Sequence, residues 1–297
     1  MRVTNRMLVD NVLKNINNNL ARLQKLEYQQ SSGLVVSRPS DDPIRVTQAL
    51  YMRSNLSEQQ QHIKNMEDAK NWVDVSDSAL DNASQIIHRA NEIAINGANG
   101  TLPKEARDAL ADELDELIEH LVQVANTSHA GRFIFAGTET TTISFEAIKD
   151  ADGKIIQVDY KGNGNVLNWE VSPDVTLDVN RPGDEVFGNI FETLIDLSKD
   201  LRDANIGGIN DAIKDLNTEL DNNLSYRAVY GAKYRRMEMA IAQAKASENN
   251  VTELLSNLED INLAEINMLL SMQSYIYQAS LMTGAKVLQP SLVDFMR

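Results

Sequence analysis

No cysteine occurs in the 297 residues, which removes disulfides, thiolate nucleophiles and cysteine-ligated metals together. Aromatic residues make up only 5% of the chain, a balance that suits long helices better than a compact enzyme. Lys and Arg number 28 against 43 Asp and Glu, a net charge of −15. Nucleic acid and anionic membrane both need basic patches, so neither is expected as a partner. No window approaches the ~18 apolar residues of a membrane helix. The opening MRVTNRMLVDNVLKN places charges and asparagines where a signal peptide needs a continuous apolar region. On that evidence alone the chain is cytoplasmic, although an export route that reads an uncleaved terminus would leave the same blank. The length allows a sizeable core or two to three domains.

Catalytic and ligand-binding signatures are equally scarce. The four histidines, His62, His88, His120 and His129, fall on different helical turns without metal spacing. Asp150-Ala151-Asp152-Gly153 hints at a calcium loop but lacks its third acidic position and closing glutamate, so a β-turn is expected. Asp41-Asp42 could be cast as an acid and base pair, but helix capping beside Pro43 explains it better. No glycine-rich phosphate loop has the right spacing. No cofactor, metal or catalytic residue is called for, and the chain reads as a non-enzyme.

What the sequence does contain is helical periodicity, strongest at its two ends. Val9, Leu13, Ile16, Leu20 and Leu23 alternate steps of four and three, as do Ile261, Glu265, Met268, Met272, Tyr275, Ala279 and Met282. Such steps place side chains on one seam of a helix that pairs with another. Leu263, Ile266, Leu269, Leu270 and Ile276 widen the apolar arc of the last helix, which therefore needs more than one partner. Gly33 should end the first helix, and Asp42 with Pro43 should cap and start a second one running to about Gly97. Within it Met66, Val73, Leu80, Ile87 and Ala94 repeat every seven residues, with small Ala69, Ser76, Ala83 and Ala90 as the second seam position. Pro103 should start a third helix, seamed by Leu110, Leu114, Leu117, Leu121 and Val124, as the return arm of an antiparallel hairpin.

At Gly131 the period changes to two. The apolar run 131–137 and the alternating runs 156–160, 167–171 and 175–179 read as half-buried strands. Helix returns near Asp184, pauses at Gly207-Gly208, and then carries a long seam through Tyr230, Tyr234, Met237, Ile241, Ala244, Glu248, Val251, Leu255 and Leu258. Asp260 marks a joint, and Pro290 should stop the last helix. The expected fold is mainly α with a β-rich insert. A long antiparallel helical bundle or coiled coil is formed by the N- and C-terminal regions, and a small β domain is looped out from the middle. The expected divisions are 1–42 with 261–297 as terminal assembly segments, 43–130 with 185–260 as the bundle, and 131–184 as the insert.

Several of these stretches resemble one family. Leu23, Gln29-Gln30-Ser31-Ser32-Gly33-Leu34 and Ser40-Asp41-Asp42-Pro43 resemble the N-terminal signature of bacterial flagellins and their relatives. Residues 87–94 with Asn99-Gly100-Thr101 resemble the segment between the second and third flagellin helices, and residues 258–265 resemble the opening of the C-terminal helix. The middle segments Gly131-Arg132-Phe133-Ile134-Phe135-Ala136-Gly137-Thr138, Tyr160-Lys161-Gly162-Asn163 and Gly183-Asp184-Glu185-Val186-Phe187-Gly188 are similar to the hook-associated branch that joins hook to filament. Met1-Arg2-Val3-Thr4 and Ser291-Leu292-Val293-Asp294-Phe295 fit that branch as well.

The resemblance implies a secreted, self-assembling structural protein of the flagellum, exported unfolded through the flagellar type III channel. It implies as partners further copies of the chain, the hook-side junction protein, flagellin, and a cytoplasmic export chaperone over the C-terminal part. Val9, Leu13, Ile16, Leu20, Leu23, Met268, Met272, Tyr275, Ile276 and Ala279 are the expected assembly residues. Gly33, Asp41, Asp42, Pro43, Arg89 and Glu92 carry the family motifs, the last two in a segment that resembles a flagellin region sensed by an innate immune receptor. A filament-forming flagellin and a cytoplasmic helical adaptor stand as alternatives.

Overall fold

The computed structural model describes residues 5–288 apart from 152 and 174. The expectations about Pro290, residues 1–4 and residues 291–295 lie outside that range. Among the described residues there are six helices and six short strands: α1 (Asn5–Ser32), α2 (Pro43–Gly97), α3 (Lys104–Ala125), β1 (Ser128–His129), β2 (Arg132–Phe133), β3 (Phe145–Lys149), β4 (Ile155–Tyr160), β5 (Asn168–Ser172), β6 (Val175–Asp178), α4 (Gly183–Asp203), α5 (Ile206–Glu259) and α6 (Leu263–Leu288). The strands pair antiparallel as three separate hairpins, β1 with β2, β3 with β4, and β5 with β6.

Two compact units divide the chain inside α2 and α5. A terminal unit comprises residues up to Glu58 and from Ser247, and a central unit comprises Gln59–Ala246. In the central unit the seven-residue repeat of α2 is fully buried: Met66, Val73, Leu80, Ile87 and Ala94 on one row, and Ala69, Ser76, Ala83 and Ala90 on the other. Small side chains in the second row let neighbouring helices approach closely, and Ser76 satisfies its hydroxyl on Trp72 O. Leu114, Ile118 and Leu121 of α3, Phe187, Ile190 and Leu194 of α4, and Leu216, Tyr230 and Met237 of α5 complete this core. Arg202 of α4 ties to α3 through Asp115 at 2.7 Å and Asp112 at 2.8 Å.

The hairpins share that core. Ile134, Phe135, Phe145, Ile155, Leu177 and Val179 are buried together with the helical residues. Phe135 and Phe145 pack edge-on against Phe187 of α4, ring centres 4.9 and 5.9 Å apart, an arrangement favoured by the ring quadrupoles.

The structure corrects two local readings. The expected strand over residues 131–137 keeps only Arg132 and Phe133 in extended pairing. Its remaining backbone bonds to loops instead of a ladder, Ile134 N–H to Thr127 O, and Ala136 O from Asn163 N–H. The helical pause falls at Ala204 and Asn205, not at Gly207-Gly208. Ala204 takes the left-handed conformation at the end of α4, and the Asp200 carboxylate occupies the space that a side chain on Gly208 would need.

Candidate assembly surface

In the terminal unit α1 and α6 run antiparallel, fixed by Gln30 Nε2 donating to Asn267 Oδ1 at 2.6 Å and Gln273 Nε2 to Asn19 O at 3.2 Å. The entry to this pair is built from capping chemistry. Gly33 adopts φ +74° and its N–H reaches Gln29 O, closing α1. Val35 N–H then donates to Glu259 O and Ile261 N–H to Gly33 O, so the two connecting strands of chain bridge at Leu34 and Asp260. Asn262 caps α6 through the Ala264 N–H. Asp42 Oδ1 accepts from the Ile44 and Arg45 N–H groups, with Pro43 as first residue of α2. Asp41 pairs with Lys25 at 3.6 Å, and Arg53 with the buried Glu259 at 2.7 Å.

The termini pack together as the sequence suggested, but α6 uses a different seam. Its inward positions are Ile266, Leu270, Gln273, Tyr277, Ser280 and Gly284. At Gly284 the helices come so close that a Cβ would stand 3.0 Å from Ile16 Cδ1 and 3.2 Å from Val12 Cγ1. Facing it, α1 presents Val9, Val12, Ile16, Asn19, Leu20 and Leu23, all half-buried, while Leu13 is 46% exposed. Hydropathy alone does not find Gln273, Ser280 and Gly284, because the contact is made by small and polar groups.

The apolar seam read from the sequence lies on the opposite side of α6. Met268 is 64% exposed and Tyr275 74%, and Met272, Ile276, Ala279 and Met282 are exposed with them. Between Leu263 and Lys286 only Glu265 and Lys286 carry charge. A contiguous wet apolar stripe of this kind is uncommon on a chain that stays monomeric. Charge divides the same way. The central unit holds 32 acidic and 18 basic residues, a net of −14, and the remaining 11 acidic and 10 basic residues leave the terminal unit at −1.

Arg89 and Glu92 lie on an exposed face of α2 in the central unit. Arg89 bonds Glu92 at 2.7 Å and Glu113 of α3 at 2.6 Å. Its hydrogen bonds, to Glu113 first and Glu92 second, raise the guanidinium pKa above its ordinary value.

The three middle motifs converge in the central unit. The Tyr160 hydroxyl lies 2.9 Å from both Phe135 O and Asn163 O, and Gly183 N–H donates to Phe135 O at 2.8 Å. Asn163 accepts from the Thr138 N–H and donates to its hydroxyl. Burial pushes the Tyr160 phenol pKa up, keeping it a neutral donor. The glycine at 162 is required by space: a Cβ there would stand 2.5 Å from Tyr160 Oη and 2.8 Å from Ala136 Cα. These motifs therefore fasten the hairpins to α4.

A helical body with a small β region is a fold shared with solved structures. The family model for the bacterial flagellin N-terminal helical region matches residues 3–140. The chain carries that region and is similar over most of its length to the bacterial flagellin superfamily. Within it, the resemblance extends over nearly the whole chain: flagellar hook-associated protein 3 of Escherichia coli K12 is 26% identical over 94% of this chain and 95% of its own. A flagellin of Halalkalibacterium halodurans is 24% identical over 91% of this chain and 89% of its own. The solved structure of a flagellar hook-associated protein from Vibrio parahaemolyticus matches the fold with TM-score 0.64 at 21% identity, covering 74% of this chain and all of that one.

Proposed function

We propose that this chain is a structural subunit of the bacterial flagellum that assembles with its own copies into the layer joining the hook zone to the filament. The full-length likeness to hook-associated protein 3 supports the place, and the outward stripe of α6 is the observation that carries the assembly. In a free chain Met268, Met272, Tyr275 and Ile276 are in water; between chains their burial drives association. In this reading the layer meets the hook-side junction protein on one side and flagellin on the other. Export runs through the flagellar channel, and a cytoplasmic chaperone covers α6 beforehand. Among the described residues no helix is long and apolar enough to cross a membrane.

The test is Tyr275→Asp with Ile276→Asp. Both positions are exposed, so the thermal midpoint should stay near wild type. In the layer two carboxylates would be desolvated without partners, at several kcal/mol. Cells should export the variant yet lose filaments and shed flagellin. Normal filaments, or a midpoint lowered as far as in Leu114→Asp, would overturn the reading. A strain lacking the chain separates the alternative: bare hooks with secreted flagellin mark a junction layer, whereas missing filament protein marks a flagellin.

A further inference from the structure

We infer that the contact made by α6 is head-to-tail: its outward stripe docks on a different face of the next copy, the exposed side of α2 that carries Ile44 and Tyr51. This rests on the self-assembly reading above. Ile44 is 70% exposed and Tyr51 73%, and Leu50, further round the same helix, is also exposed. Ile44 and Tyr51 are seven residues apart, hence on one side of the helix, and that side is opposite the buried Ala49 and the half-buried Val46 and Leu56. Large apolar side chains stand here in a capped first turn and the two turns after it, with Asp42 holding the Ile44 and Arg45 N–H groups. The patch is thus a built surface of the helix.

Three observations point to a second copy's α6 as the occupant. The terminal unit is at −1 while the central unit is at −14, so two copies repel through the latter and can approach through the former. The arginines flanking the patch are already paired, Arg45 with Asp42 at 3.7 Å and Arg53 with Glu259 at 2.7 Å. A docking partner therefore needs to bring no charge, and α6 is a helix almost without charge along its outward stripe. A face that binds its own equivalent closes a two-fold dimer and stops; a layer that continues needs two unlike faces on each copy, and α2 and α6 supply them.

Cysteine cross-linking in isolated flagella tests this, and the unmodified chain is its own blank because it has no cysteine. Under mild oxidation the double variant Tyr51→Cys with Tyr275→Cys should give a ladder of covalent oligomers of this chain, and each single variant only monomer. Dimers from either single variant would show like-on-like contact, and a double variant that stays monomeric would place the α6 contact elsewhere; both overturn the inference. Filament counts tell its failure from failure of the assembly reading. Filaments that survive Tyr275→Asp with Ile276→Asp sink the assembly reading. Filaments lost in that variant but kept in Tyr51→Glu sink only the head-to-tail contact. Tyr51→Glu should otherwise lose filaments with an unchanged thermal midpoint.

Discussion

Replacing Tyr160 by Phe removes one hydroxyl from the place where the three middle motifs meet. That hydroxyl carries one hydrogen, shared between Phe135 O and Asn163 O at 2.9 Å each, and it accepts weakly from Gly183 N–H at 3.4 Å. Phe135 O keeps the Gly183 N–H at 2.8 Å, so the substitution costs about one neutral hydrogen bond with its acceptor left half-satisfied, roughly 1–2 kcal/mol. Gly162→Ala is a harsher change to the same knot. Its Cβ would press on Tyr160 Oη and on the Ala136 backbone. Relief means moving the ring out of its bonds, so overpacking and bond loss add to about 3 kcal/mol or more. For a unit of this size each kcal/mol lowers the midpoint by about 2–4 °C. Melting of the full-length variants followed by circular dichroism should therefore give a drop of a few degrees for Tyr160→Phe and a clearly larger one for Gly162→Ala. Filaments should persist in Tyr160→Phe, because the α6 stripe is untouched. A Tyr160→Phe midpoint equal to wild type, or equal to that of Gly162→Ala, would refute the hydrogen-bond account.

At the α1 and α6 crossing, Gly284→Ala should be near neutral, since the flexible tip of Ile16 can yield a few tenths of an ångström and Ala gains about 1 kcal/mol of helix propensity over Gly. Gly284→Leu should separate the pair, read as loss of amide protection over α1; protection retained in the Leu variant would place the crossing elsewhere. Asp178 tests pH dependence: burial pushes its carboxyl up, but Lys233 at 2.8 Å outweighs this and the pKa is lowered overall. A lowered folded-state value stabilises above the ordinary aspartate pKa near 4 and is lost as pH falls through the folded value. Asp178→Asn should thus be less stable at neutral pH and flatter between about pH 4 and 2 in urea titrations, and parallel acid profiles would contradict the pairing.

Where local chemistry decides, the sequence was readable. Gly33, Asp42 and Pro43 end and restart helices as their backbone preferences require, and the α2 repeat from Met66 to Ala94 is buried position for position. Reading failed where two answers share one period. In α6 both the outward stripe and the inward seam recur at steps of four and three, and the more apolar one is the one that α1 leaves free. β3 went unread because Ile148, which a half-buried strand would turn inward, points to solvent. The run 131–137 is buried like a strand, but its partners are loops distant in sequence, which no local pattern reports. Asp41, Arg89 and Glu92 carried a family likeness, and only the folded chain shows that each is tied into an ion pair.

The bridge between Leu34 and Asp260 and the antiparallel pairing of α1 with α6 have a consequence for the order of events. The first helix of the chain closes only on the last, more than two hundred residues later. Contacts so far apart in sequence form late, since the entropy of closing the loop is spent before they are gained. During synthesis, and again during any passage as an unfolded thread, α1 has no intramolecular mate until α6 has arrived. The central unit needs neither, because its core lies wholly between Gln59 and Ala246. Among the described residues the terminal pair therefore closes after the central unit. A helix left waiting in this way is free to meet a neighbour's terminal helix before its own.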